Sequence, residues 1–186
     1  MSRIVAGSAR GRNIKVPDTG TRPTSSRVRE ALFARLENRG YIKDCAVLDL
    51  YAGSGALALE ALSRGATRAV AVDISQGATR IISQNARSLG LYLTVVNSKA
   101  ESYLSTHYDG PFDLVFIDPP YDIAEEQLTR LLETLPPHLT SDGLVVVERG
   151  KRQPEPTWPP ELELDNERTW GDTRVWSAIV RAKDLD

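Results

Sequence analysis

The chain has 186 residues, 41% hydrophobic and 26% charged, with a formal net charge of −2, an ordinary globular composition for one domain with a small appendage and a substantial core. No apolar stretch approaches the ~20 residues of a membrane span, and the opening MSRIVAGSARGRNIKV has no apolar centre of a secretory signal. Cys45 is the sole cysteine, which excludes an internal disulfide and a cysteine-cluster zinc site; the expectation is a cytoplasmic protein with no metal. Residues 1–39 hold nine Lys or Arg against three Asp or Glu, a balance of +6 that leaves −8 on the rest. A basic arm on an acidic body suggests an anionic partner met by the arm, with a plain solvated surface as the alternative.

In chain order, RIVAGSARGRNIKVP predicts two short strands near 3–6 and 12–16 around a Gly-Ser-Ala-Arg-Gly turn. Val28, Ala31, Leu32 and Leu36 recur at helical spacing from Ser26 to about Asn38, with Gly40 as the stop and Arg27 and Arg29 leaving the apolar face. Strands follow at 46–50, 68–73, 93–97, 112–118 and 143–149, alternating with helices at 56–64, 76–88, 99–107 and 124–135. The second of these helices directs Ala78, Ile81, Ile82 and Leu89 inward. Continuous apolar strands alternating with helices imply a parallel sheet covered on both faces. LELDNER and TRVWSAIVRA, joined by TWGD after a proline-rich loop, predict an antiparallel end pair. The expected fold is α/β and Rossmann-like: a seven-stranded, mostly parallel sheet with an antiparallel end pair and a small N-terminal β-hairpin, residues 1–39 forming a basic extension of a domain at 40–186. It fits a class I methyltransferase better than a dehydrogenase half. His107 and His138 read as surface or helix-end residues, and Trp158, Trp170 and Trp176 as core or loop packing.

Two loops carry the chemistry. In VLDLYAGSGALA, Gly53, Gly55 and Ala58 form G-x-G-x-x-A between a strand and a helix, a turn whose backbone can approach a ligand. Asp73 ends the next strand, placed to accept hydrogen bonds from a ribose diol. Both NAD and S-adenosylmethionine satisfy that geometry. Asp49 favours the second, since a carboxylate there is awkward beside a pyrophosphate and suits the cationic methionyl end. Ala100 or Glu101 in VNSKAESYL could face an adenine edge, or the stretch could be a plain loop.

The second loop is VFIDPPYD. Prolines after a strand terminate it, but Asp118, Pro119, Pro120 and Tyr121 also make a stiff loop of carbonyls, one carboxylate and one ring. In a doubly wound sheet this loop emerges beside the glycine loop. Asp118 and the Pro119 carbonyl can accept both hydrogens of an exocyclic base amine, while Tyr121 stacks on the base.

DPPY after the fourth parallel strand, with LDLYAGSGALALEAL upstream, resembles the amino-group methyltransferases of adenine, cytosine or guanine. RIVAGSARGRNIKVP, RPTSSRVREALF, LSRGA and WGDTRVW narrow the resemblance, over nearly the whole chain, to the RsmD family of bacterial 16S rRNA guanine-N2 methyltransferases. The resemblance implies S-adenosylmethionine as donor, held by Asp49, Tyr51, Ala52, Gly53, Ser54, Gly55, Asp73, Ile74, Ala100, Glu101 and Thr24 of the RPT loop. It implies guanine 966 of 16S rRNA as acceptor, within the assembled 30S subunit, and a monomeric enzyme. Arg10, Arg12, Arg22, Arg27 and Arg29 would then meet RNA. Tyr51 stands where Phe is expected, Ala58 where Gly is common and Trp170 where Tyr is usual; shape or aromaticity is kept in each.

Three rivals are separable on sequence. A DNA methyltransferase needs a target-recognition segment beyond the short hairpin. An NAD-dependent oxidoreductase needs a hydride-handling pair in the crevice, and a non-catalytic RNA-binding module leaves the Asp118–Tyr121 loop idle.

Overall fold

The computed structural model describes residues 2–18 and 24–182. Its element order is β1 (Ser2–Arg3), β2 (Asn13–Ile14), α1 (Ser26–Asn38), β3 (Ala46–Leu50), α2 (Ala56–Ser63), β4 (Arg68–Asp73), α3 (Gln76–Leu89), β5 (Thr94–Asn97), α4 (Ala100–Thr106), β6 (Phe112–Ile117), α5 (Glu125–Thr134), a 3-10 turn (Pro136–His138), β7 (Leu139–Gly150), β8 (Leu162–Trp170) and β9 (Thr173–Val180). The seven-stranded sheet runs β5-β4-β3-β6-β7-β9-β8. Its first five strands are parallel, and β9 pairs antiparallel with both β7 and β8. The expected Rossmann-like architecture is therefore present, with the antiparallel end pair in its expected place.

Local chemistry sets the boundaries. The Ser25 hydroxyl accepts the Val28 N–H to cap α1, and Ser75 caps α3 through the Ala78 N–H. At the other end of α3, Gly90 takes a left-handed φ of 66°. A three-residue 3-10 turn led by prolines, Pro136–His138, carries the chain from α5 into β7, which begins four residues before the expected Gly143.

Alternation along the strands divides the core. Val47, Leu114, Phe116 and Val146 face one cluster shared with α1, α2 and α3; Leu48, Leu50, Val115, Ile117 and Val147 face another shared with α4 and α5. Ile4, Ala9 and Ile14 of the arm, with Leu32, Phe33 and Leu36 of α1, belong to the first cluster. Ile81 is half-buried, whereas Ala78, Ile82 and Leu89 turn inward as expected.

The arm's strands are two residues each, shorter than expected, because its backbone bonds to α2. Glu60, completely buried, accepts the Val5 and Ala6 N–H groups, and the Ser63 hydroxyl accepts from Ala9 N at 2.9 Å. Gly7 lies so close that an added Cβ would sit 1.8 Å from the Ser63 carbonyl oxygen. His138 is buried, its Nε2 2.8 Å from the Leu104 carbonyl, while His107 is exposed. Trp176 is fully buried; Trp158 and Trp170 pack half-buried against the two clusters. No helix among the described residues is long and apolar enough to cross a membrane.

Candidate active site

β3 and β6 are parallel neighbours, with Leu50 beside Ile117, so both chemistry-bearing loops leave the sheet side by side. The first loop folds tightly. Tyr51, Gly53 and Gly55 have φ of 60°, 58° and 78°, and the Gly55 N–H donates to Ala52 O at 2.8 Å. Glycine relieves the left-handed conformation at two of these positions; Tyr51 bears it with a side chain. Asp73 Oδ2 accepts the Gly53 N–H at 2.9 Å and Oδ1 the Ser75 N–H at 2.8 Å. Its carboxylate thus braces the loop and keeps further lone pairs for a ligand hydroxyl. Ile74, next in sequence, is 63% exposed.

Sequence reasoning missed the support behind this loop. Asn85 of α3 donates from Nδ2 to the carbonyls of Ser54 and Lys15, each at 2.9 Å, and accepts the Lys15 N–H at 2.8 Å. One amide therefore ties the glycine loop to the basic arm. A mid-helix Asn carries no sequence signal of such a partner 70 residues away.

Three carboxyl groups lie on one face of adjacent strands. Val47, Phe116 and Val146 face the same core cluster, so two residues further along each strand direction Asp49, Asp118 and Glu148 point the same way. Asp49 is 1% exposed; its Oδ2 accepts the Ala58 N–H at 3.2 Å, and its Oδ1 is buried with no partner among the described residues. Burial pushes its pKa up to about 8, against the help of the Ala58 N–H. The Thr24 hydroxyl lies 2.9 Å from Glu148 Oε2 and 3.4 Å from Asp118 Oδ2. Glu148, 8% exposed, is pushed by burial up to about 7. Asp118 rises well above the usual carboxylate range, through burial first and then Glu148 and Asp49. A crevice of protonated or uncompensated acids is suited to a cationic ligand. The residues present thus fit the methionyl ammonium and sulfonium of the expected donor.

Asp118-Pro119-Pro120-Tyr121 closes the crevice. Pro120 O accepts the Ile123 N–H, and Gln153 Nε2 donates to Tyr121 O at 2.8 Å. The Tyr121 ring is 76% exposed and lies over Gly150, where a Cβ would come within 3.1 Å of it. An open ring on a fixed backbone is what a stacking surface requires. Gln153 comes from the proline-rich loop and was not expected; nor was Glu148, whose position in VVVERG reads simply as the end of an apolar strand.

The remaining expected residues fall as follows. Ala52 and Ser54 are buried inside the glycine loop. Ala100 has its methyl in the core, and Glu101 accepts from Gln127 Nε2 at 2.7 Å. The Tyr51 hydroxyl is buried and unpartnered among the described residues, and burial and then Glu101 raise its pKa. Arg10, Arg12 and Arg27 are exposed, Arg12 donating to the Ser88 carbonyl. Arg22 lies outside the described residues. Arg29 is a correction: it does not leave the apolar face but is completely buried, bonded to Ser2 Oγ and the Arg3 carbonyl, with Nε 3.5 Å from Glu60 Oε2. It is unavailable to RNA because Glu60 draws it inward between arm and α2.

The sequence model of the family described as Conserved hypothetical protein 95 matches residues 2–179. Ribosomal RNA small subunit methyltransferase D of Escherichia coli K12 is 38% identical over 173 residues, 91% of this chain and 85% of its own. The putative rRNA methyltransferase YlbH of Bacillus subtilis is 34% identical over 180 residues, covering 93% and 96%. Among solved structures, a putative methyltransferase yhhF from Escherichia coli superposes with a TM-score of 0.83 at 37% identity, covering 98% of this chain and 99% of that one. With that family model spanning nearly its whole length and such relatives beside it, the chain belongs to the RsmD family.

Proposed function

We propose that the chain is an S-adenosylmethionine-dependent methyltransferase that modifies the exocyclic N2 of a guanine in 16S rRNA, by family guanine 966, acting as a monomer on the 30S subunit. The observation that carries this reading is the meeting of the glycine loop and Asp118-Pro119-Pro120-Tyr121 at the ends of β3 and β6, around buried acids. Relatives named as small-subunit rRNA methyltransferases support it. The donor, when bound, supplies an electrophilic methyl group.

The chain's own residues supply binding and orientation. Asp73 takes the ribose hydroxyls, Ile74 and the segment at Ala100 and Glu101 flank the adenine, and Asp49 faces the methionyl ammonium. A cation among the acids favours their charged forms. Ionised Asp118 and the Pro119 carbonyl then accept the two amine hydrogens, and Tyr121 stacks on the guanine. Conjugation makes such an amine a poor nucleophile; holding both hydrogens out of the ring plane returns lone-pair density to nitrogen. Catalysis is mainly positioning and electrostatics. The guanine must be unpaired or flipped to enter. Arg10, Arg12, Arg22 and Arg27 meet the RNA backbone.

The test is incubation of the protein and S-adenosylmethionine with small subunits from cells lacking the enzyme, followed by nucleoside mass spectrometry. The expected product is N2-methylguanine. Methyladenine or methylcytosine would refute the guanine assignment.

A further inference from the structure

Glu148 has no contact with the donor or the base in the reading above, yet its position is specific. Ile117 is the register partner of Val147, so Asp118 and Glu148 come next to each other on parallel strands ~4.8 Å apart. Thr24, just before α1 and 94 residues from Asp118 and 124 from Glu148 in sequence, sets one hydroxyl between their carboxyl groups. Asp49 on β3 completes the acidic surroundings. On the β9 side Glu148 is opposite Val175, and the next residue, Arg149, reaches Glu125 on the other face of the sheet.

N-methylation of an amine must dispose of a proton. The nitrogen lone pair forms the new N–C bond, the donor keeps the electron pair of the broken S–C bond, and one amine hydrogen leaves as H⁺. Asp118 touches that amine in the reading above, on which this inference rests. We infer that Glu148 is the store for this proton: Asp118 takes it from the amine, and the Thr24 hydroxyl passes it on. Thr24 accepts a proton from Asp118 as it gives its own to Glu148, so the hydroxyl is unchanged and Asp118 is again a carboxylate. The 3.4 Å separation from Thr24 to Asp118 is the link that tightens when the base is bound. Glu148 acts through Asp118 and is in this sense a positioning residue for the proton.

The variants are Glu148→Gln, which keeps shape and removes the acceptor, and Thr24→Val, which removes the relay, with Thr24→Ser as its restoration. Single-turnover methyl transfer to small subunits is followed from pH 5.5 to 9, donor affinity by calorimetry, and the Asp118 and Glu148 carboxyls by ¹³C NMR without donor or RNA. Expected are a roughly 10²-fold slower transfer at neutral pH in Glu148→Gln and Thr24→Val, loss of the lower inflection of the rate profile, and recovery in Thr24→Ser. In the NMR titration the two carboxyls should respond to one another in the wild type. Normal rate and inflection in Glu148→Gln, or NMR titration of Glu148 as an isolated exposed glutamate, would overturn the inference while guanine methylation by the wild type still stands. A slower rate that saturating donor restores would overturn it too. Should Glu148→Gln not fold, Thr24→Val and Thr24→Ser decide on the same readouts. A wild type that methylates no guanine overturns the underlying reading instead.

Discussion

Glu60 and Glu148 are both buried glutamates on one face of the sheet, and their surroundings are opposite. Glu60 accepts two backbone N–H groups of the arm, the Arg64 Nε at 2.9 Å, and the nearby Arg29 guanidinium. Glu148 has the Thr24 hydroxyl and faces two further acids. The first is a carboxylate matched by backbone N–H groups and two guanidinium groups, and it fixes the arm. The second is left short of donors and so waits for a ligand or proton. A buried carboxylate is structural or reactive according to what surrounds it, and the two are distinguishable from the partners alone.

The largest effect should follow from breaking the Glu60 network. Glu60→Ala strands the buried Arg29 charge and releases the Val5 and Ala6 N–H groups, so stability should fall by about 3–5 kcal/mol, measured by urea unfolding. Glu148→Gln should leave the donor-free protein as stable as the wild type, or more so, at pH 8. If the two variants behaved alike, the contrast would be wrong.

A pH series sharpens the same contrast. The folded-state pKa values of Asp49 and Glu148, about 8 and about 7, lie above their ordinary values of 3.8 and 4.5. The folded protein therefore binds more protons than the unfolded chain between those limits, and its stability falls as pH rises from about 4 to 8. Each proton of difference contributes a slope of about 1.4 kcal/mol per pH unit. Asp49→Asn should flatten the dependence without donor and abolish tight donor binding; thermal unfolding across pH checks the first and calorimetry the second.

Asp73 lies on the same edge but in a braced environment. Asp73→Ala removes a charged acceptor for the ribose worth about 1.5–3 kcal/mol, so donor affinity should drop roughly ten-fold or more in a folded protein. Unchanged affinity would sink the ribose assignment. The smallest change per residue belongs to the arm. Neutralising Arg10, Arg12 and Arg27 together should weaken RNA binding and flatten its salt dependence by about 0.7–0.9 in log–log slope per lost phosphate contact, with donor binding intact. Equal binding across salt concentrations would make the arm a solvated surface.

The difference between these regions also explains what the sequence could disclose. Periodicity located β3, β4 and β6 to within a residue, because strands covered on both faces must be continuously apolar. The glycine loop and Asp118-Pro119-Pro120-Tyr121 were legible because their chemistry lies within a few consecutive residues. Arg29 was misplaced because a charged residue on an amphipathic helix is expected to face water, and its compensation by Glu60 on α2 is a contact between distant segments. Glu148, Gln153 and Asn85 escaped for the same reason: their partners are 124, 32 and 31 residues away. Local pattern reveals elements and loops, while cross-element pairing decides which polar residues serve structure.

The division of labour at the crevice is tested most directly by Asp118→Ala, with donor affinity and transfer rate measured on the same preparation. The account predicts a donor dissociation constant within a factor of about two of the wild type, because Asp49, Asp73 and the glycine loop remain. Single-turnover formation of N2-methylguanine on small subunits should fall by roughly 10²-fold or more, the scale of losing an oriented reactant. A variant that methylates at near wild-type rate, or that loses transfer only through donor affinity and recovers at saturating donor, would contradict it.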